Sequence, residues 1–318
     1  MNTVAVIGVG NLGFRHFESL YKSDLPLALY AMDPLEGARE RVRGLAAPGT
    51  PKSTVTTVSS VKELPTRLDL VIVATNADVR LAMTEQLLQR AKVRYLVLEK
   101  VLFQRPEDFA ACERLLKAHG VTCFVNCPRR MYDVYWELKQ MFGGNGVRFL
   151  SVAGGEWGLG CNSVHYVDLF QFMTGRVPQR YALHLDAEVH RSKRAGFVEF
   201  TGTIHAAADS ASLTLTAVQG THPKAYVTMF CGDLACTVDE GVGMARVFDK
   251  DQIVREIAFR VPYQSELTAR VATQLLKDGT CALPTYADSA AAHLPFISAM
   301  LNYGRTHIDP GLTAIPIT

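Results

Sequence analysis

The stretch "VAVIGVGNLGFRH", residues 4–16, decides the fold. Val4 to Ile7 read as an apolar strand running straight into Gly8-Val9-Gly10-Asn11-Leu12-Gly13, and Leu12 to Tyr21 continue as a helix. G-x-G-x-x-G between a strand and a helix has a physical meaning. Gly8 permits a tight turn, Gly10 lets the backbone come close to a pyrophosphate, and Gly13 allows helix and strand to pack closely. The helix N-terminus then faces the phosphates. A second apolar stretch, "LALYAMD" (27–33), ends in Asp33, twenty residues beyond Gly13. An acid at that point accepts hydrogen bonds from the adenosine ribose hydroxyls and repels a 2′-phosphate, which favours NAD over NADP. Asp33 is also placed to N-cap the helix that begins near Pro34, and the two roles are compatible.

The alternation continues along the chain. "STVTTV" (53–58), "DLVIVAT" (69–75), "VRYLVLEK" (93–100) and "VTCFVN" (121–126) read as strands, with helical periods at 79–90 and 106–118. Short, uniformly apolar strands separated by helices indicate a parallel sheet covered on both faces. Ligands of such sheets lie beyond the carboxyl ends of the strands. Thr75, Asn76, Glu99, Lys100 and Asn126 are therefore expected to border one crevice, with Glu99 and Lys100 at the nicotinamide end. A lysine ending a strand ordinarily snorkels into solvent; here it is also placed to hydrogen-bond a substrate hydroxyl and share its proton.

From about residue 147 the pattern changes to strands without intervening helices, with two-residue alternation in "SLTLTA" and "VEFTGTIH". That implies an antiparallel sheet with one face solvated or paired with another subunit. Helices are expected at 161–174, packed between the domains, and at about 265–278. The predicted fold is an α/β Rossmann domain with a doubly wound parallel sheet (1–125). It is followed by an α+β domain with a large open, predominantly antiparallel sheet (126–318), the expected surface of a homodimer or homotetramer.

Composition narrows the function. The 318 residues are 48% hydrophobic and 20% charged with a net charge of +2, which suits a globular protein with two cores and offers no polyanion-binding face. No apolar run reaches the roughly 18 residues of a membrane span. Seven cysteines lie scattered without the spacing of a zinc site or a disulfide framework, so no metal is expected and a reducing cytoplasm is the simplest location. His184, His190, His205, His222, His293 and His307 likewise show no ligand spacing.

Beyond these readings, the residues resemble the Gfo/Idh/MocA oxidoreductases. The likeness rests on G-V-G-N-L-G (8–13), A-T-N (74–76), E-K (99–100), N-C-P-R-R (126–130), H-Y-V-D (165–168) and "LPTYADSAAAHLPFISAM" (283–300). The resemblance implies a nicotinamide-binding Rossmann domain, an open antiparallel sheet, and hydride transfer at a carbinol carbon, usually of a sugar or cyclitol. It places Lys100 as the active-site lysine and His165 as the catalytic histidine. The wording of "GCNSVHYVDLF" (160–170) and the terminal "IPIT" is similar to members of nonulosonate and surface-polysaccharide pathways, which points to an amino-sugar or sugar-phosphate substrate.

Two departures stand out. The family's E-K-P is E-K-V here, and a cis bond before a non-proline residue costs about 2.5–4 kcal/mol, so a trans Lys100–Val101 bond is expected. Cys161 replaces an aspartate four residues before the histidine. Positions 161 and 165 share a helix face, but a neutral thiol does not orient and charge-stabilise an imidazole as a carboxylate does. Asn162 and substrate hydroxyls, or Asp168 at i+3, are the candidates to take over, although an interdomain hydrogen bond is the commoner role for Asp168. Arg129 and Arg130 are surface charges or substrate contacts, suited to a phosphorylated or nucleotide-linked sugar. Trp157 and Tyr166 read as packing. Because both the proline and the aspartate are missing, the alternative is a non-catalytic, NAD-responsive binding or regulatory protein; the intact Lys100 and His165 argue against it.

Overall fold

The computed structural model describes residues 1–45, 52–144, 146–221 and 225–318; His222 lies outside the described residues. The chain opens with β1 (Asn2–Ile7), α1 (Asn11–Tyr21), β2 (Leu27–Met32), α2 (Glu36–Leu45), β3 (Thr54–Val58), β4 (Arg67–Val73), α3 (Ala77–Arg90), β5 (Lys92–Leu98), α4 (Pro106–His119) and β6 (Thr122–Val125). These strands form one six-stranded sheet in the order β3-β2-β1-β4-β5-β6, parallel throughout. The order reverses between β1 and β4, the switch point at which doubly wound sheets bind their ligands. Val4 to Ile7, Leu70 to Val73 and Leu96 to Leu98 are all buried, as strands covered on both faces must be.

The chain then forms α5 (Asp133–Met141), β7 (Phe149–Gly154), α6 (Leu159–Thr174), β8 (Arg180–Leu185), β9 (His190–Arg191), β10 (Val198–Glu199), β11 (Gly202–Ala208), β12 (Ala211–Ala217), β13 (Tyr226–Cys231), β14 (Leu234–Asp239), β15 (Met244–Asp249), β16 (Gln252–Ala258), α7 (Gln264–Asp278) and α8 (Tyr286–His307). An eight-stranded sheet runs β16-β15-β14-β13-β7-β12-β11-β8, and β9 and β10 form a separate ribbon. Among the described residues of the large sheet, β7 and β12 alone pair in parallel. β12 alternates strictly between buried and half-buried residues, so one face carries the core and the other is open.

The chain divides into two compact units. The first comprises Met1–Phe103, Glu107–Asn126 and Pro262–Ala287, so α7 clusters with the parallel sheet. The second comprises Gln104–Pro106, Cys127–Val261 and Asp288–Thr318. Among the described residues no helix is long and apolar enough to cross a membrane. Among the described residues no cysteine is joined in a disulfide.

Candidate active site

The first unit gathers the expected cofactor residues where β1, β4, β5 and β6 end. Gly8 has a φ of +82°, a conformation costly for any residue with a side chain, and its N–H donates to the Met32 carbonyl at 2.8 Å. A Cβ on Gly13 would lie 1.8 Å from the Gly8 carbonyl oxygen, whereas one on Gly10 would meet nothing within 4 Å. Gly13 is thus needed for packing, and Gly10 leaves open space over the backbone. α1 starts at Gly10 with no side-chain cap and no acid in its first turn. The N–H groups of Asn11, Leu12 and Gly13 remain the unsatisfied donors of a helix start, suited to an anion. Thr75 keeps a buried Oγ1 with no hydrogen-bond partner among the described residues, and Asn76 caps α3 without using its side chain. Open space, oriented N–H groups and an orphaned hydroxyl fit a dinucleotide.

Asp33 braces this edge. Its Oδ2 accepts from Val9 N and its Oδ1 from Leu35 N, both at 2.9 Å. One carboxylate thereby ties the glycine loop to the turn before α2, and each oxygen retains acceptor capacity for a ribose hydroxyl. Arg41 of α2 lies against the same loop, donating to the Gly10 carbonyl at 2.6 Å with its guanidinium 4.2 Å from the Phe14 ring centroid.

The turn after β5 corrects one expectation: the Lys100–Val101 peptide is cis. Val101, Leu102 and Phe103 are fully buried, and so is Arg80, which donates to the carbonyls of Thr75, Val101 and Leu102. Tertiary contacts hold this turn where the sequence lacks a proline to do so. Glu99 is also buried, and its Oε1 accepts from Asn126 Nδ2 at 2.5 Å and meets His16 Nε2 at 2.8 Å. Both strand-end residues expected at the cofactor therefore also brace one another. His16, which closes the stretch quoted first, was not singled out from the sequence. Its partner lies 83 residues away, and nothing local marks it.

In the second unit, α6 carries Cys161, Asn162, His165 and Asp168. Gly158 enters the helix with a φ of +83°, and Asn162 Nδ2 donates back to the Trp157 carbonyl at 2.7 Å. Glu199 then caps the helix, accepting from Gly160 N at 2.8 Å and Cys161 N at 3.1 Å. An acid absent from the side-chain position at 161 is thus present at that residue's backbone. Cys161 and His165 lie one turn apart on a shared face.

Asp168 is fully buried and held by Arg130, whose Nε donates to both of its oxygens at 3.0 and 2.9 Å. Burial pushes Asp168 up to about 6, with the Arg130 charge pulling the other way. Arg129 is committed likewise. Its Nε and Nη2 donate to Glu240 at 2.9 and 2.8 Å, and Nη2 also donates to the Tyr166 hydroxyl at 2.9 Å. Burial opposes the Arg129 charge, yet Glu240 together with Tyr166, Tyr132 and Tyr135 outweighs it and holds the guanidinium charged. Tyr135 donates its hydroxyl to the same carboxylate at 2.7 Å. Trp157 and Tyr166 pack edge to face at 5.3 Å. Glu199, Glu240 and Tyr135 were not legible as partners, because each meets its target only through the tertiary fold.

These features define a dinucleotide-binding α/β protein with a second, sheet-built unit. Residues 2–127 match the family described as "Oxidoreductase family, NAD-binding Rossmann fold". The match covers the parallel sheet and none of the large mixed sheet. Among curated proteins none matches the sequence significantly. Solved structures share the fold. UDP-N-acetylglucosamine 3-dehydrogenase GnnA from Acidithiobacillus ferrooxidans aligns with a TM-score of 0.74 at 16% identity, over 93% of this chain and 95% of that one. Scyllo-inositol dehydrogenase from Lactobacillus casei, with bound NAD(H) and scyllo-inositol, gives 0.68 at 14%, over 92% and 94%. A super-repressor mutant of Gal80p from Saccharomyces cerevisiae gives 0.74 at 11%, over 96% of each chain.

Proposed function

We propose that the protein is an NAD-dependent dehydrogenase acting on a secondary alcohol of a carbohydrate derivative. The observation that carries this reading is the convergence, at one edge of a single parallel sheet, of the glycine loop, Thr75, Asn76, Lys100 and Asn126. Bound NAD supplies the hydride acceptor at the nicotinamide C4. The N–H groups at the start of α1 hold the pyrophosphate, Asp33 accepts from the adenosine ribose hydroxyls, and Thr75 and Asn76 line the same edge. Lys100 holds the substrate hydroxyl and takes its proton as the hydride leaves the carbinol carbon. His165 of α6 is the proposed catalytic histidine of the second unit, and Asn162 and Cys161 on the same helix are its proposed substrate contacts.

The dehydrogenase relatives support a sugar, amino sugar or cyclitol. A sugar phosphate is less well served, since Arg129 and Arg130 each already meet a carboxylate bidentately. The open face of the eight-stranded sheet is the proposed contact between copies of the chain.

The Gal80p likeness and the cysteine at 161 favour a second reading, a non-catalytic protein that responds to NAD. A panel of sugars, amino sugars and cyclitols, followed by NADH absorbance, separates the two. The dehydrogenase reading expects turnover with at least one panel member. Tight NAD binding without turnover on any of them would favour the regulatory reading.

A further inference from the structure

Arg39, Arg41 and Arg43 all lie on α2, but they are held differently. Arg39 and Arg43 both donate to Glu36, three and seven residues before them on one face of the helix. Arg41 turns instead onto the glycine loop. Its Nη2 donates to the Gly10 carbonyl at 2.6 Å and to the Val9 carbonyl at 3.2 Å, and its Nη1 donates to Asn11 Oδ1 at 3.2 Å. The Phe14 ring of α1 lies under the guanidinium and holds its plane by a cation–π contact. Among the described residues Arg41 meets no carboxylate.

Electrostatically this is the wrong end of a helix for a cation. Gly10 is the N-cap of α1, and no acid stands in the first turn of that helix. A helix start is the positive end of the dipole, where a second positive charge is disfavoured and an anion is favoured. An anion set there meets the dipole and the guanidinium together, which removes the conflict. The donors suit one. Three of the guanidinium's five N–H groups are engaged, and two remain. Asn11 gives its amide oxygen to Arg41, which leaves the amide N–H groups to donate elsewhere. A Cβ on Gly10 would meet nothing within 4 Å, so the space beside these donors is open. A guanidinium fork matches the oxygens of a phosphate better than a point charge does.

We propose that Arg41 is a further cofactor-binding residue: it supplies the positive charge for the pyrophosphate of bound NAD and, by holding Asn11 Oδ1, turns the Asn11 amide hydrogens to the same anion. The proposal rests on the glycine loop as the dinucleotide site and is independent of the chemistry at Lys100. It divides the work along the loop. Asp33 takes the adenosine ribose, the α1 N–H groups take phosphate oxygens as neutral donors, and Arg41 brings the one full positive charge. Arg39 and Arg43 are excluded from that task by Glu36.

Calorimetry on the full chain with NAD, ADP-ribose and adenosine tests this without requiring turnover, because the first two carry the pyrophosphate and the third does not. Arg41→Met keeps an apolar stem against Phe14 and removes the charge. It is expected to weaken NAD and ADP-ribose by roughly tenfold or more, the scale of losing a hydrogen bond to a charged group, and to leave adenosine unchanged. Arg41→Lys should fall between the two, and added salt should weaken NAD binding more in the parent than in Arg41→Met. In the parent, ADP-ribose but not adenosine should protect Arg41 from phenylglyoxal, read by peptide mass spectrometry; this decides the matter if the variants do not fold. Unchanged NAD affinity in Arg41→Met overturns the proposal. So does an equal loss for adenosine, which assigns Arg41 to the nucleoside, or a loss confined to NADP, which assigns it to a 2′-phosphate. A parent chain that binds NAD but turns over no sugar counts against the proposed function alone, and one that binds neither NAD nor ADP-ribose overturns both.

Discussion

A methyl group on Gly13 would press to 1.8 Å from the Gly8 carbonyl oxygen, so Gly13→Ala must push α1 away from β1. Overpacking of this kind costs about 1–3 kcal/mol. The expected outcome is a lower melting temperature together with weakened NAD binding by calorimetry, whereas Gly10→Ala should fold normally. At 161 the expectation runs the other way. The thiol is neutral unless activated, so Cys161→Ala should change turnover little, while His165→Ala should lower it by roughly two orders of magnitude or more. Cys161→Asp adds a carboxylate one turn from His165 and should raise the imidazole's pKa, moving the acidic limb of the pH–rate profile to higher pH. The reverse ranking of the two alanine variants would assign the chemistry to the cysteine. Gly8, Gly13 and Asp33 were legible because their roles depend on local backbone and fixed spacing. The cis Lys100–Val101 bond was not, since buried Arg80 and its carbonyl partners, rather than a proline, surround that turn.

β4 and β5 were readable from uniform apolarity and β12 from alternation, because each pattern reports directly which faces are buried. Pairing between distant charges has no such local signature. Arg130 and Asp168 join the turn before α5 to α6 across 38 residues, and each had been considered for a different task. This pair sets a pH dependence. The folded-state value of Asp168 lies above the ordinary 3.8, at about 6. Its contribution to stability is therefore full below the unfolded value and is lost as pH rises through the folded one. Asp168→Asn should flatten the fall in melting temperature between those two values. Thermal denaturation across that range checks it, and an unaltered slope would show that Arg130 compensates the burial in full. Arg130→Met is expected to be the harsher change, on the order of 3–5 kcal/mol, because it leaves a buried carboxylate without its cation.

At the scale of the whole molecule, the open sheet face of the second unit exposes Tyr226 and Phe230 at 49% and 46%, with Phe149 packed 5.6 Å from Phe230. Aromatic side chains at the centre of a patch are the usual anchors of an interface. If copies of the chain associate through this face, Phe230→Glu should lower the mass seen by analytical ultracentrifugation while leaving the melting of a dilute sample nearly unchanged. An unaltered mass would place any contact elsewhere. Cofactor choice is also a whole-molecule property. NAD at a hundredfold excess over its dissociation constant stabilises the folded state by about 2.7 kcal/mol, and NADP at the same concentration should stabilise less while Asp33 is present.

The central claim is hydride transfer from a carbinol carbon to NAD with Lys100 handling the hydroxyl proton. Deuterium tracing tests it most directly: the purified protein is incubated with NAD and sugars or cyclitols deuterated at their carbinol carbons, and the cofactor is analysed by mass spectrometry and NMR. Deuterium at C4 of the reduced nicotinamide is expected with the parent protein, and a loss of roughly two orders of magnitude in rate with Lys100→Ala at nearly unchanged NAD affinity. Reduced cofactor without deuterium at C4, or a Lys100→Ala variant that keeps its turnover, would contradict it.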